Sequence, residues 1–343
     1  MDVITLKNKI RDRYLLNRYV TPFVKRNRLS DQNISYKNSL AIIAHPRGGS
    51  TWMGELMMNI PDSVLIDEPL WRGKLRSSNS KPKSGEGKID AIDKLGFYYN
   101  QPIPVSESWP EAKIEFEKIL TGKVSSLNIY RENNFQSLKS SNYFITKFCY
   151  AHLLLKWLLQ NFQLNAILLT RHPCAVVSSQ LTHPAWKNLR INKPLKFPNF
   201  LHDELYKELE IRIPNLATKE EFLAAIWALG IKETIYSNYN DLNWITVAYE
   251  NLVINFKFEI NRIFKRLNIK VPDSIWQYQY KPSGSSSGKS ITDIREGNLI
   301  NSWKRELSEI EITRIMKIVE KFEIDVYSTS DEPNYKILYK DQY

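Results

Sequence analysis

Cysteine is scarce: the chain has two in 343 residues, Cys149 and Cys174. With no CxxC pair and no Cys/His cluster, neither a disulfide framework nor a structural zinc site is expected, and a reducing compartment is the simpler setting. Long apolar runs are missing as well. No stretch approaches the about 20 residues of a membrane span, and MDVITLKNKIRDRYLLNRY at the start holds no unbroken apolar core of the secretory kind. No dense Lys/Arg block of the sort that forms a nucleic-acid arm is present. The spacing GxxxxGK[ST], which would cradle a triphosphate with magnesium, does not occur either. No internal repeat is visible.

What is present is an ordinary globular composition, 43% hydrophobic and 25% charged, with a formal net charge of +11. Such a balance speaks to partners rather than to fold. The basic residues are scattered, which suits a focused anion pocket within a solvated basic surface. Residues 5–27 interleave Ile10, Tyr14, Leu15, Tyr19, Val20 and Phe23 with Lys and Arg. This basic amphipathic segment is read as a helix docked on the domain and shortened by Pro22. Peripheral membrane contact through it is the other expectation. The chain divides into this N-terminal segment at 1–35, one α/β domain at 36–330 and a tail at 331–343.

Apolar runs predict buried parallel strands at 40–44, 63–67, 143–148 and 165–170, with another at 243–249. Helices are expected at 50–59, where Ser50 or Thr51 can cap, at 152–162, and after Pro173, placed for a first turn. More follow at 218–238, 251–267 and 307–322. Two stretches, 72–88 and KPSGSSSGKS at 281–290, read as loops. Strands alternating with helices imply a three-layer α/β fold with a mainly parallel central sheet.

Two strand-to-helix junctions carry chemistry. Pro46-Arg47-Gly48-Gly49-Ser50-Thr51-Trp52 joins a strand to a helix. Paired glycines let the backbone wrap an anion, a helix start offers unpaired N–H groups, and Arg47 adds a forked cation. Ser50 and Thr51 add hydroxyls. Together these describe a phosphate cradle. The second junction is Thr170-Arg171-His172-Pro173-Cys174, with Ser179 two helical turns further on. Arg171 at a strand end beside a helix start suits a second anion.

The pair PRGGSTW and RHPCAVVSS resembles the 5′-phosphosulfate loop and the 3′-phosphate site of the PAPS-dependent sulfotransferases. AYENL at 248–252 and the RxG…W segment from Arg295 to Trp303 are similar to further family segments. The resemblance runs from about residue 40 to 322, and the three motifs in this order are highly specific. It implies a P-loop-like fold and transfer of a sulfuryl group from 3′-phosphoadenosine-5′-phosphosulfate (PAPS) to a hydroxyl, with no metal required. Arg47 and the Gly48, Gly49, Ser50 and Thr51 amides would hold the phosphosulfate. Trp52 would stack on adenine or pack beside it. Arg171 and Ser179 would hold the 3′-phosphate, Arg295 and Gly297 would complete that site, and Trp303 would pack.

Lys147 matches a strand-end lysine of the cytosolic members. Their histidine two residues later is Cys149 here, so that base is missing. Glu68, in a segment similar to the EPLW of carbohydrate-type members, becomes the first candidate base, with His152 and His45 as the others. The likeness is thus nearer to bacterial and carbohydrate-type members than to the aryl type. Acceptor contacts are expected from 69–99, 97–109 and 181–205, taking a glycan, lipid or small metabolite. Nucleic acid is not expected as a partner, and a cytoplasmic location, peripheral to the membrane at most, is. Two other functions stay open: a magnesium-dependent kinase on a related fold, and a non-catalytic polyanion-binding protein.

Overall fold

The computed structural model describes residues 18–28, 36–70, 102–124, 126–189, 191, 216–236, 244–280 and 298–340. Five strands form one sheet: β1 Ser39–Ala44, β2 Ser63–Asp67, β3 Tyr143–Phe148, β4 Asn165–Thr170 and β5 Ile245–Ala248. Their order is β2-β3-β1-β4-β5 and every pairing is parallel. All five carboxyl ends therefore lie on one edge. The central strand β1 pairs with β3 on one side and β4 on the other, which is where a parallel sheet opens a crevice for ligands.

The strands are continuous apolar runs because both faces are covered. Leu40, Ile42 and Ala44 pack into one cluster with Ile145, Ile167 and Val247, while Ala41 and Ile43 join another with Val64, Phe148 and Leu168. Residues 18–28 form helix α1. The first face is covered by α2 (Ser50–Met57) and by Phe256–Leu267, whose Ile260, Ile263, Phe264 and Leu267 recur at helical spacing. The second face is covered by helix 18–28, Pro110–Leu120 and Leu155–Phe162. A third cluster joins the helices Pro173–Leu181, Lys219–Ile235 and Glu309–Lys321 to the last residues of the chain. Lys219–Ile235 and Glu309–Lys321 both begin in a capping box, Thr218 with Glu221 and Ser308 with Glu311.

Several expectations are corrected. The cap of α2 is Gly49, not Ser50 or Thr51, and no side chain caps it. The span 152–162 begins as a 3-10 turn, His152–Leu154, before the helix proper. The helix expected at 251–267 is two, Tyr249–Ile254 and Phe256–Leu267, because Asn255 at φ −116°, ψ 46° leaves helical geometry. Residues 331–340 are no loose tail: Tyr335–Leu338 is helical, and Leu338 and Tyr339 are buried in the third cluster. Helix 18–28 is docked on the domain. Val20, Phe23 and Val24 are buried, and Arg26 and Arg28 donate to backbone carbonyls of Ser141 and Lys123 at 2.8 and 2.9 Å. The apolar face proposed for a membrane is thus spent inside the domain at Val20 and Phe23. Ile10, Tyr14 and Leu15 lie outside the described residues. No described helix is long and apolar enough to cross a membrane.

Candidate active site

The loop between β1 and α2 turns on two residues in left-handed backbone conformation, Arg47 at φ 69° and Gly49 at φ 99°. Gly49 has no substitute. A Cβ there would stand 2.5 Å from the Tyr249 ring, and the backbone conformation itself disfavours a side chain. A Cβ on Gly48 would meet the His45 carbonyl oxygen at 2.8 Å, the oxygen that accepts the Gly48 N–H. The glycines therefore keep the backbone bare where α2 starts, and the α2 N-terminus carries no capping side chain. Ser50, released from capping, lies 3.5 Å from the Cys149 sulfur through its Oγ.

Arg47 and Arg171 come together at this edge. Arg171 Nη1 donates to the Arg47 carbonyl at 3.1 Å and Nη2 to the Leu299 carbonyl at 3.1 Å, while its guanidinium lies 4.3 Å over the Tyr249 ring. Arg171 Nε is buried without a partner. Arg47 Nε donates to Ser179 Oγ at 3.1 Å. Gln180, one residue on, donates to the Pro46 carbonyl at 2.8 Å, so helix Pro173–Leu181 is tied to the glycine loop at two points. Burial, and then the charge of Arg171, holds the Arg47 pKa below the ordinary arginine value. Among the described residues, both guanidiniums donate only to neutral oxygens, and no carboxylate forms an ion pair with either.

Behind Arg171 the junction is locked by groups that carry no ligand-facing role. The Trp227 indole N–H donates to the Arg171 carbonyl at 3.0 Å. His172 caps the following helix by accepting the Cys174 N–H on Nδ1, so its proton sits on Nε2, which reaches the Ser328 carbonyl at 2.8 Å. Its ring stacks on Trp303 at 4.4 Å. Burial pushes the His172 pKa down to about 4, keeping the ring neutral. Trp303 is packing, in agreement with expectation.

The ends of β2 and β3 supply a second group of side chains. Asp67 pairs with Lys147 in register. Lys147 Nζ lies 2.6 Å from Asp67 Oδ1 and 3.3 Å from Glu68 Oε1. Burial alone would lower the lysine pKa, but the carboxylates of Glu68 and Asp67 outweigh it and raise the pKa, so Lys147 is a fixed cation. The Cys149 thiol, raised well above its ordinary pKa by burial and by Glu68, keeps its proton and donates to Glu68 Oε1 at 3.1 Å. Glu68 is in left-handed conformation at φ 46°, its N–H bonded to the Lys147 carbonyl at 2.9 Å. Gln163 and Asn268 share that conformation as ordinary helix C-caps. Arg47 and Glu68 adopt it in the loops that follow β1 and β2, as Asp62 and Glu323 do elsewhere.

His152 is not brought to this group. Its ring stacks on His45 with centroids 3.7 Å apart, beneath Gly230, and both of its ring nitrogens are buried without partners. Burial and the His45 charge drive its pKa well below the usual value, and burial takes that of His45 to about 3. The inward 3-10 turn at 152–154 is the reason. His152 and His45 are thus buried against each other, while Glu68 stands part-exposed beside Lys147. Trp52 packs between Phe256 and Tyr249 in the core, with its indole N–H unpartnered. Arg295, Gly297, Trp71 and the 281–290 loop lie outside the described residues, as do most of the expected acceptor contacts. The residues missed from the sequence are Tyr249, as the platform under Arg171 and the wall over Gly49, and Arg131, 3.5 Å from Asp67. For Tyr249, the aromatic at the end of an apolar run was the available signal.

The class these features define is an all-parallel α/β protein with two neighbouring arginines at the carboxyl edge of its sheet. No family model matches the chain, and no curated protein matches it. Among solved structures it is similar to the sulfotransferase domain of the Synechococcus PCC 7002 olefin synthase, at 16% identity and a TM-score of 0.40, covering 84% of this chain and 95% of that one. It is also similar to the sulfotransferase domain from the curacin biosynthetic pathway, at 15% identity and 0.42, covering 83% and 97%. A third is mouse sulfotransferase SULT7A1 complexed with PAP, at 12% identity and 0.39, covering 88% and 92%.

Proposed function

We propose that the chain is a sulfotransferase that takes its sulfuryl group from PAPS and passes it to a hydroxyl acceptor. The observation that carries this reading is the Arg47–Arg171 pair: two neighbouring, part-buried cations with no carboxylate partner among the described residues, beside a helix start left uncapped. Unpaired buried charge is costly, and a polyanion relieves the cost.

The residues present fit the donor. Bare glycines let the loop fold tightly against the Tyr249 ring and the His45 carbonyl, and the Gly49–Thr51 amides are proposed to meet the phosphosulfate oxygens, the Gly48 N–H being given to His45. Arg47 holds the same group, and Arg171 with Ser179 holds the 3′-phosphate. Arg295 and Gly297 are proposed to complete that site. When bound, the donor supplies an activated S–O bond, which the acceptor oxygen displaces in line. Glu68 accepts the acceptor proton on a carboxylate oxygen. Lys147, kept charged by its acidic neighbours, orients Glu68 and adds positive potential as charge gathers on the leaving phosphate. The acceptor is proposed to be a glycan, lipid or metabolite hydroxyl.

The test is a titration of the full chain with adenosine 3′,5′-bisphosphate, ADP and ATP, with and without magnesium. Tight binding of the bisphosphate alone, unchanged by magnesium, is expected. Preference for ATP with magnesium would make the chain a kinase. Weak, strongly salt-dependent binding without nucleotide preference would make it a polyanion binder.

A further inference from the structure

Glu250 opens the helix Tyr249–Ile254 directly after β5 and is completely buried. Its Oε1 accepts the His172 N–H at 2.7 Å, and its Oε2 accepts the Tyr327 hydroxyl at 3.2 Å. Tyr327 Oη also reaches Thr170 Oγ1 at 3.4 Å. Both donors to Glu250 are neutral. The nearest cation is Arg171, the residue before His172, but its guanidinium donates to two carbonyls and lies on Tyr249 rather than on this carboxylate. Among the described residues, this buried carboxylate has no ion-pair partner, and it sits beside the strand end that carries Arg171.

The titratable and charged groups around it are few. Arg171 and His172 face it from the end of β4, Tyr249 from its own helix, and Tyr327 and Tyr335 from the C-terminal segment. His172 is held neutral by burial. Burial pushes Glu250 up to about 7, against the opposing pull of the His172 N–H, Arg171 and the Tyr327 hydroxyl. The carboxyl therefore sits where small changes in local charge decide its protonation.

We propose that Glu250 is a proton-linked counter-charge behind the anion cleft: it is ionised while the cleft is empty and takes up a proton when a phosphate settles against Arg171. The physical reason is competition. Ionised Glu250 offsets part of the positive field of Arg171 through the junction, and an arriving anion repels that second negative charge. Binding of the anion and binding of the proton then favour each other by the same factor. Glu250 is a positioning residue here, since it acts through the His172 amide and Arg171. The inference rests on the anion cleft proposed above, and the experiment separates the two.

Adenosine 3′,5′-bisphosphate binding is measured calorimetrically from pH 6.5 to 8.5 in buffers of differing ionisation enthalpy, for the wild-type chain, Glu250→Gln and Tyr327→Phe. The phosphate's own titration is common to all three and cancels in the comparison. Wild type should take up protons on binding above pH 7 and lose affinity toward pH 8.5 by about fivefold more than Glu250→Gln. Glu250→Gln should bind more tightly than wild type at pH 8.5. Tyr327→Phe, which removes one donor, should move the wild-type profile to higher pH. A carboxylic C=O infrared band that titrates near neutrality in the free wild-type chain and is missing from Glu250→Gln checks the acid without ligand. Bisphosphate binding with parallel pH profiles and equal proton uptake in wild type and Glu250→Gln overturns the coupling alone. A wild-type chain that shows the titrating band yet binds no bisphosphate overturns the donor reading and the coupling together.

Discussion

The two sides of the cleft solve opposite electrostatic problems. At the ends of β1 and β4, two arginines donate only to neutral oxygens among the described residues, so no carboxylate holds their guanidiniums in an ion pair. At the ends of β2 and β3, two carboxylates surround one buried lysine, and the charge is settled within the protein. On the proposed reading, one side binds the donor and the other holds a proton acceptor in place. Mutations should therefore separate affinity, turnover and stability according to side.

The largest effect is expected from Lys147→Ala. It leaves Asp67 buried without its cation and should cost about 3–5 kcal/mol in denaturant unfolding. A small loss there would mean that Arg131, at 3.5 Å, already carries the compensation. Glu68→Gln keeps shape and removes the base. Turnover should fall by about 100-fold or more, with bisphosphate affinity within about twofold. Equal losses in both would erase the division between the sides. Arg171→Ala should weaken bisphosphate binding by about 100-fold, as charge-assisted hydrogen bonds are lost, with little change in unfolding free energy. Gly49→Ala forces a Cβ onto the Tyr249 ring in a left-handed backbone and should destabilise by about 1–3 kcal/mol, weakening nucleotide binding with it.

The smallest effect is one of pH. His45 and His172 have folded pKa values depressed to about 3 and about 4, and His152 is depressed well below its usual value. The unfolded chain therefore binds protons first as pH falls. Their contribution is fully present above about 6.5 and is lost as pH drops toward 4 and below. Glu250 works in the other direction. Its folded pKa is raised to about 7, so its contribution is complete below about 4.3 and is lost as pH rises through 7. Thermal unfolding of His172→Gln and Glu250→Gln across pH 4 to 8 resolves the two slopes.

Much of this was legible in the residues. The strands at 63–67, 143–148 and 165–170 fall where continuous apolar runs placed them, because a sheet covered on both faces leaves no alternation to misread. The parallel reading in turn put the last residue of each strand on one edge, which is how Glu68, Lys147, Arg47 and Arg171 could be expected together. Less visible was anything decided by a single backbone angle. Gly49 caps α2 because the loop needs φ 99°, and a good capping serine beside it is overruled. Asn255 breaks one helix into two for a similar local reason. The direction of His152 follows from a three-residue 3-10 turn, which leaves no periodic trace. Packing of the final residues was hidden because Leu338 and Tyr339 are isolated apolar positions in a polar stretch.

Tyr339 carries a consequence for how the molecule is made. Its hydroxyl accepts the Ala248 N–H, the last amide of β5, at 3.2 Å across 91 residues of chain. During synthesis, at about 5–20 residues per second, every strand has left the ribosome roughly 5–20 seconds before that tether emerges. The nascent sheet can pair in that interval, but the rim that presents Arg171 and Tyr249 is not yet fastened from behind. Ligand-competent protein should accordingly appear only once Tyr339 has emerged, later than the first protease-resistant core.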